Sequence, residues 1–169
     1  MKRGSKRMEQ NIIITAYTDS GIFNGILSLP ENTRLSDFIN ISSQFIHFKG
    51  RAANNAADNS DEIYINKDAI KLLTTATSET TRGAGAKGRV YPYINKKQVH
   101  VKIYMTNYEI SGNLYSFDEG DIRQLFQQHH QFLACTDVNI LDTRNNSSSH
   151  ADFIAINWNN ISALLKKET

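Results

Sequence analysis

The sequence predicts a mainly β chain, a β-rich α+β protein made of two tandem antiparallel units that each carry one short helix. Three observations predict it. At a constant offset of 87 residues Tyr17 meets Tyr104, Gly25 meets Gly112, Leu27 meets Leu114 and Gln44-Phe45 meets Gln131-Phe132. Within each copy, segments alternate apolar and polar side chains, the period of a half-buried strand. The stretches between those segments leave no room for crossover helices, so the sheet is expected to be antiparallel.

The repeat sets every later assignment, because missing one misreads the whole fold. Conservative matches extend it: Ile12 with Val99, Ile14 with Val101, Phe23 with Ile110, Leu35 with Ile122, Phe38 with Leu125 and Ile46 with Leu133. After residue 137 the offset becomes 91, so Asp61, Ile63, Ile65, Asn66, Ile70 and Leu73 meet Asp152, Ile154, Ile156, Asn157, Ile161 and Leu164. One alignment with a single gap keeps the apolar pattern throughout. The organisation read from it is a basic tail (1–10), a first repeat (11–73), a basic linker (74–98), a second repeat (99–165) and a short C-terminal tail (166–169).

Each element then has two witnesses. Residues 11–18 and 98–106 alternate as a first strand, and 21–29 and 108–117 as a second. Asp19-Ser20-Gly21 and Thr106-Asn107 are the turns between them. Gly25 and Gly112 mark a bulge or a close backbone approach. Leu35, Phe38 and Ile39 have helical spacing with Thr33 as N-cap, and Ile122, Leu125 and Phe126 repeat it after Asp121. A third strand is expected at 43–48 and 131–135, a fourth in the loop region of copy one and at Val138-Asn139-Ile140-Leu141, and a last one at 62–73 and 153–165.

Composition narrows the class. With 40% hydrophobic and 21% charged residues, the 169-residue chain is of globular type. Its single cysteine, Cys135, sits in an apolar run and reads as a small buried hydrophobe, which excludes an internal disulfide. No apolar run is long enough for a transmembrane helix, and the basic start lacks the apolar core of a signal peptide, so a cytoplasmic protein without membrane contact is expected. Charge is segregated: residues 1–10 carry +3 and 74–98 carry +4, against −2 for 11–73 and −4 for 99–165. Basic character in the least patterned segments favours an acidic partner, with solubilising tails as the plain alternative.

In copy two, Gly112-Asn113-Leu114-Tyr115-Ser116-Phe117-Asp118 is similar to the Gly-x-Leu-x-x-Phe-Asp of the Sm-like small-barrel family, and residues 156–161 (INWNNI) resemble its closing motif. The resemblance implies two tandem small β-barrels, each a bent five-stranded sheet closed on itself, that join edge to edge and often bind RNA. The family's Arg-Gly pair is Asn157-Trp158 here and Asn66-Lys67 in copy one. A helix also stands where the family has its third strand.

No catalytic set can be nominated. The glycine-rich run 82–88 lacks the Gly-Lys-Ser/Thr ending of a phosphate loop. His129 and His130 diverge on a helix, and no metal, cofactor or small-molecule substrate is assigned. The expectation is a non-enzymatic binding or assembly module, with a homo-oligomer or a protein complex as the partner. The alternative is an RNA- or single-strand-binding protein, in which Lys87, Arg89, Lys96 and Lys97 contact phosphates while Tyr91, Tyr93 and Trp158 stack on bases. Trp158 stands where copy one has Lys67, so the aromatic is either exposed for binding or packed against the other copy.

Overall fold

The structure, a computed structural model, describes residues 9–31, 33–41, 43–54, 60–75, 96–116, 121–127 and 130–167. Most of the basic tail and of the linker lies outside the described residues, including Lys87, Arg89, Tyr91 and Tyr93. The first half runs β1 (Glu9–Thr18), β2 (Ile22–Pro30), α1 (Leu35–Ile41), β3 (Phe45–Ala52), β4 (Asp61–Asn66), a 3-10 turn (Lys67–Ala69) and β5 (Ile70–Thr75). The second repeats that order: β6 (Lys97–Met105), β7 (Tyr108–Ser116), α2 (Arg123–Gln127), β8 (Phe132–Asp142), β9 (Ser147–Asn157), a 3-10 turn (Trp158–Asn160) and β10 (Ile161–Lys166).

All ten strands belong to one antiparallel sheet, in the order β10-β6-β7-β8-β9-β5-β1-β2-β3-β4. Each half therefore has the same internal order, with its fifth strand beside its first. The expectation of two closed barrels is corrected by this: the sheet is open. The reason lies in β5, which pairs with β1 on one side and β9 on the other, leaving no hydrogen-bonding edge with which to close against β4. Strand β9 is likewise occupied by β8 and β5. The consecutive strands β5 and β6 are not neighbours, because β9, β8 and β7 lie between them.

Three local expectations also change. Strand β8 runs unbroken where two strands were expected, and it absorbs one extra residue at a bulge where Asp137 adopts φ 52°. The single last strand instead divides into two, β4 with β5 and β9 with β10. The cause is an asparagine: the Asn66 and Asn157 side chains accept from the backbone N–H of Asp68 (3.0 Å) and Asn159 (3.1 Å), which turns the chain. Finally, the first bond of α1 runs from Phe38 N–H to the Arg34 carbonyl, so Arg34 takes the cap position and Thr33 does not.

The two cores share the sheet but not a face of it. Cross-strand partners point the same way and chain neighbours point opposite ways. Leu72 and its partner Ile156 pack with Val101, Ile103 and Ile110 in the second-half core. Leu73 and its partner Ala155 pack with Ile14, Leu27 and Ile46 in the first-half core. The cores thus lie on opposite faces, joined through two adjacent residues. Each fully buried Leu or Ile stabilises the fold by roughly 1.5–3 kcal/mol.

The paired glycines serve close approach, as the sequence suggested. Gly25 faces Gly50 across β2 and β3, and a Cβ on it would run into the Lys49 carbonyl and the Phe48 ring. At Gly112 the nearest obstacles are side chains, Cys135 Sγ at 2.7 Å and Val138 Cγ2 at 2.9 Å, with the Thr136 carbonyl farther off at 3.2 Å. Backbone yields less readily than side chains. Gly25→Ala is therefore expected to destabilise by about 2–3 kcal/mol and Gly112→Ala by about 1–2 kcal/mol, measured by urea unfolding. Equal losses would show that the backbone obstacle at Gly25 is not limiting.

Candidate functional site

The junction between the halves is built from few groups, each tightly held. Three residue pairs, Leu72–Ile156, Leu73–Ala155 and Thr74–Ile154, carry the β5·β9 ladder. Asn157 is wholly buried beside it and donates from Nδ2 to the carbonyls of Ile70 (3.0 Å) and Lys67 (3.3 Å). Helix α1 contributes Asn40, which accepts from the Phe132 N–H (2.9 Å) and donates to the Phe132 carbonyl (3.1 Å). The Phe132 ring is thereby fixed in the core of the other half. Gln131 Nε2 adds a bond to Asp68 Oδ1 at 2.7 Å. Tyr17 of the first half meets Tyr108 of the second edge-on at 6.0 Å, and burial raises both phenols above their ordinary range.

The two outer ends of the sheet, β4 with its neighbour β3 and β10 with helix α2, carry the counterparts of such groups in a different state. Phe45, the counterpart of Phe132, is 50% exposed against 2%. Tyr64 is 62% exposed where Ala155 is fully buried. On the other edge Phe126 is 51% exposed where Ile39 is fully buried, and Leu165 is exposed where Thr74 is buried. Two exposed apolar edges on one sheet are uncommon, since unpaired strands invite association. The β4 edge is ordered: Tyr64 stacks on His47 at 4.5 Å, and Glu62 Oε2 accepts from both, at 3.1 Å from His47 Nε2 and 3.3 Å from Tyr64 Oη. On the β10 side Phe126 meets Trp158 edge-on at 5.4 Å.

Of the residues proposed for nucleic acid, Lys96, Lys97 and Trp158 are described. Lys96 and Lys97 are exposed at the start of β6, and Trp158 is half-buried in its 3-10 turn. The turn leads into Ile161, which pairs with Met105 at the far end of β6. A strand of that length puts Lys97 about 26 Å from Met105, so the fold does not bring Trp158 together with these lysines. Sequence reasoning missed Phe45, Tyr64, Phe126 and Leu165. The signal was available at one of them, because Tyr64 aligns with Ala155, an aromatic where the other copy has a methyl group.

Among the described residues no group of three or more His, Cys, Asp and Glu side chains could hold a metal ion. None of the described helices is long and apolar enough to cross a membrane. Burial pushes the Cys135 thiol up to about 12. Asp121 at the start of α2 is held down at about 2 by the Arg123 side chain and, next, by the Arg123 backbone N–H. A cleft of about 290 Å³ opens where β5 and β9 part, lined by Tyr17, Thr75, Ile140, His150 and Asp152 among others. The buried Thr75 hydroxyl has no hydrogen-bond partner among the described residues. No protein-family model, curated protein or solved structure matches the chain.

Two outcomes follow from the junction geometry. Asn157→Ala takes the amide donor from the buried Ile70 carbonyl, one of two donors from the Lys67 carbonyl and the cap from its own turn, and is expected to cost about 2–4 kcal/mol, whereas Asn66→Ala on the open edge loses a turn cap and costs about 1 kcal/mol. Chemical denaturation of both variants separates the two values, and equal losses would contradict the role given to Asn157. Cys135 is expected to resist a disulfide reagent at pH 8 in the native protein and to react in denaturant. Rapid native labelling would show that the sulfur is accessible.

Proposed function

We propose that the chain is a non-catalytic assembly module, a tandem pair of Sm-like repeats that associates with copies of itself by adding strands at its two free edges. One observation carries the reading. The chain already contains such a junction: β5, the last strand of the first half, pairs with β9, the fourth strand of the second. Among the described residues the free edges are the remaining pair of the same kind, β4 as a fourth strand and β10 as a fifth. A second copy that repeats the internal junction would therefore join β10 of one chain to β4 of the next. The apolar side chains that lie buried at the internal junction have exposed counterparts at the free edges, which supports the same reading. Such a contact is head to tail, so it generates a closed ring if the rotation closes and a filament if it does not.

Light scattering coupled to size exclusion tests this directly. The expected mass exceeds the 19.1 kDa of one chain and rises with concentration. A sharp monomer at the highest soluble concentration overturns the reading. Salt-sensitive binding of a mixed-sequence RNA by that monomer would favour nucleic acid as the partner.

A further inference from the structure

We infer that the direction of this association is written in the side chains of β4 and β10 by a charge and aromatic match that the internal junction does not have. The inference rests on the assembly reading and adds to it which residues choose the partner edge.

The match comes from carrying the internal register outward. At the β5·β9 junction Leu72, Leu73 and Thr74 face Ile156, Ala155 and Ile154. The counterpart residues are Ala163, Leu164 and Leu165 on β10, and Ile65, Tyr64 and Ile63 on β4 of the next chain. Continued two steps beyond the internal ladder, which ends at Thr74 and Ile154, the same register would set Lys166 opposite Glu62 and Lys167 opposite Asp61. At the sequence positions that correspond to Lys166 and Lys167 the first half has Thr75 and Ala76, neither of them charged. Glu62 and Asp61 are exposed on the β4 edge, and Lys166 and Lys167 are exposed on and just after β10. Lys166 also feels the Asp121 carboxylate of its own chain, so Lys167 is the cleaner half of the pair.

Aromatic residues mark the same two edges. Phe132 enters the first-half core beside Ile39, and its backbone is gripped by Asn40. The equivalent meeting between chains sets Phe45 against Phe126, with Trp158 already packed on Phe126 and Gln127 in the place of Asn40. Two β4 edges together bring no basic residue to meet Asp61 and Glu62, and two β10 edges bring no acidic residue to meet Lys166. Head to tail is the arrangement in which the acidic pair and the basic pair meet, so the charges favour the directional contact.

A charge exchange tests the code. One variant carries Asp61→Lys and Glu62→Lys, the other Lys166→Glu and Lys167→Glu, and masses are compared at low salt with the wild-type chain. Each variant alone is expected to associate at least about tenfold more weakly than wild type, because its own two edges now repel. Mixed in equal amounts they are expected to recover association, since both alternating junctions are again complementary. Trp158, the only tryptophan in the chain, supplies a second readout: its emission should move to the blue on association and stay unshifted in either variant alone. If wild type associates but each variant alone does so equally well, or the mixture recovers nothing, the inference is overturned while the assembly reading stands. If wild type itself stays monomeric, the assembly reading fails and takes the inference with it.

Discussion

The pairing of β5 with β9 is the constraint on which the rest of the molecule depends. It consumes the edge each half would otherwise use to close on itself, which makes one open ten-stranded sheet out of two similar five-stranded ones. Its register is held from both sides. Leu72 belongs to one core and Leu73 to the other, so a slip by one residue would expel apolar side chains from both cores at once. A short ladder of three pairs is therefore specified far more strongly than its length suggests.

Around that ladder the chain uses amide side chains where a sheet-to-sheet contact would leave backbone groups unmet. Asn157 satisfies two carbonyls of the other half, and Asn40 satisfies both backbone groups of Phe132. A buried carbonyl left unpaired costs more than the net gain of an ordinary hydrogen bond, so these two residues protect the junction more than they strengthen it. The same reasoning explains why Asn66 is tolerated in the open: its carboxamide caps a turn and bonds Gln44 at the surface.

Much of this arrangement was legible in the sequence. The offset of 87 and then 91 residues placed the strands of each half, the two glycines and the buried cysteine, because apolar spacing and the absence of a Cβ are properties of single positions. Closure was not legible. Whether β5 meets β4 of its own half or β9 of the other depends on a competition between two edges of similar pattern, and alternation along one strand does not record its neighbour. The same limit hid the interaction edges. Phe45 and Phe132 are identical residues in matched positions, and only the position of their half in the sheet exposes one and buries the other. The 3-10 turn escaped for another reason, since Asn66 and Asn157 were read as parts of a continuous strand although a short amide side chain competes with the ladder for backbone N–H groups.

The separation of β5 from β6 has a kinetic meaning. Four strand spacings put β5 about 19 Å from β6, although the two are consecutive in the chain. The two halves are held in one chain by this covalent connection, so their junction forms within a molecule and not between molecules. Severing it would leave a junction of unchanged structure but with a second-order rate of formation. The halves of two chains could also exchange partners through the same ladder, so covalent order and spatial order need not coincide in any assembly this protein forms.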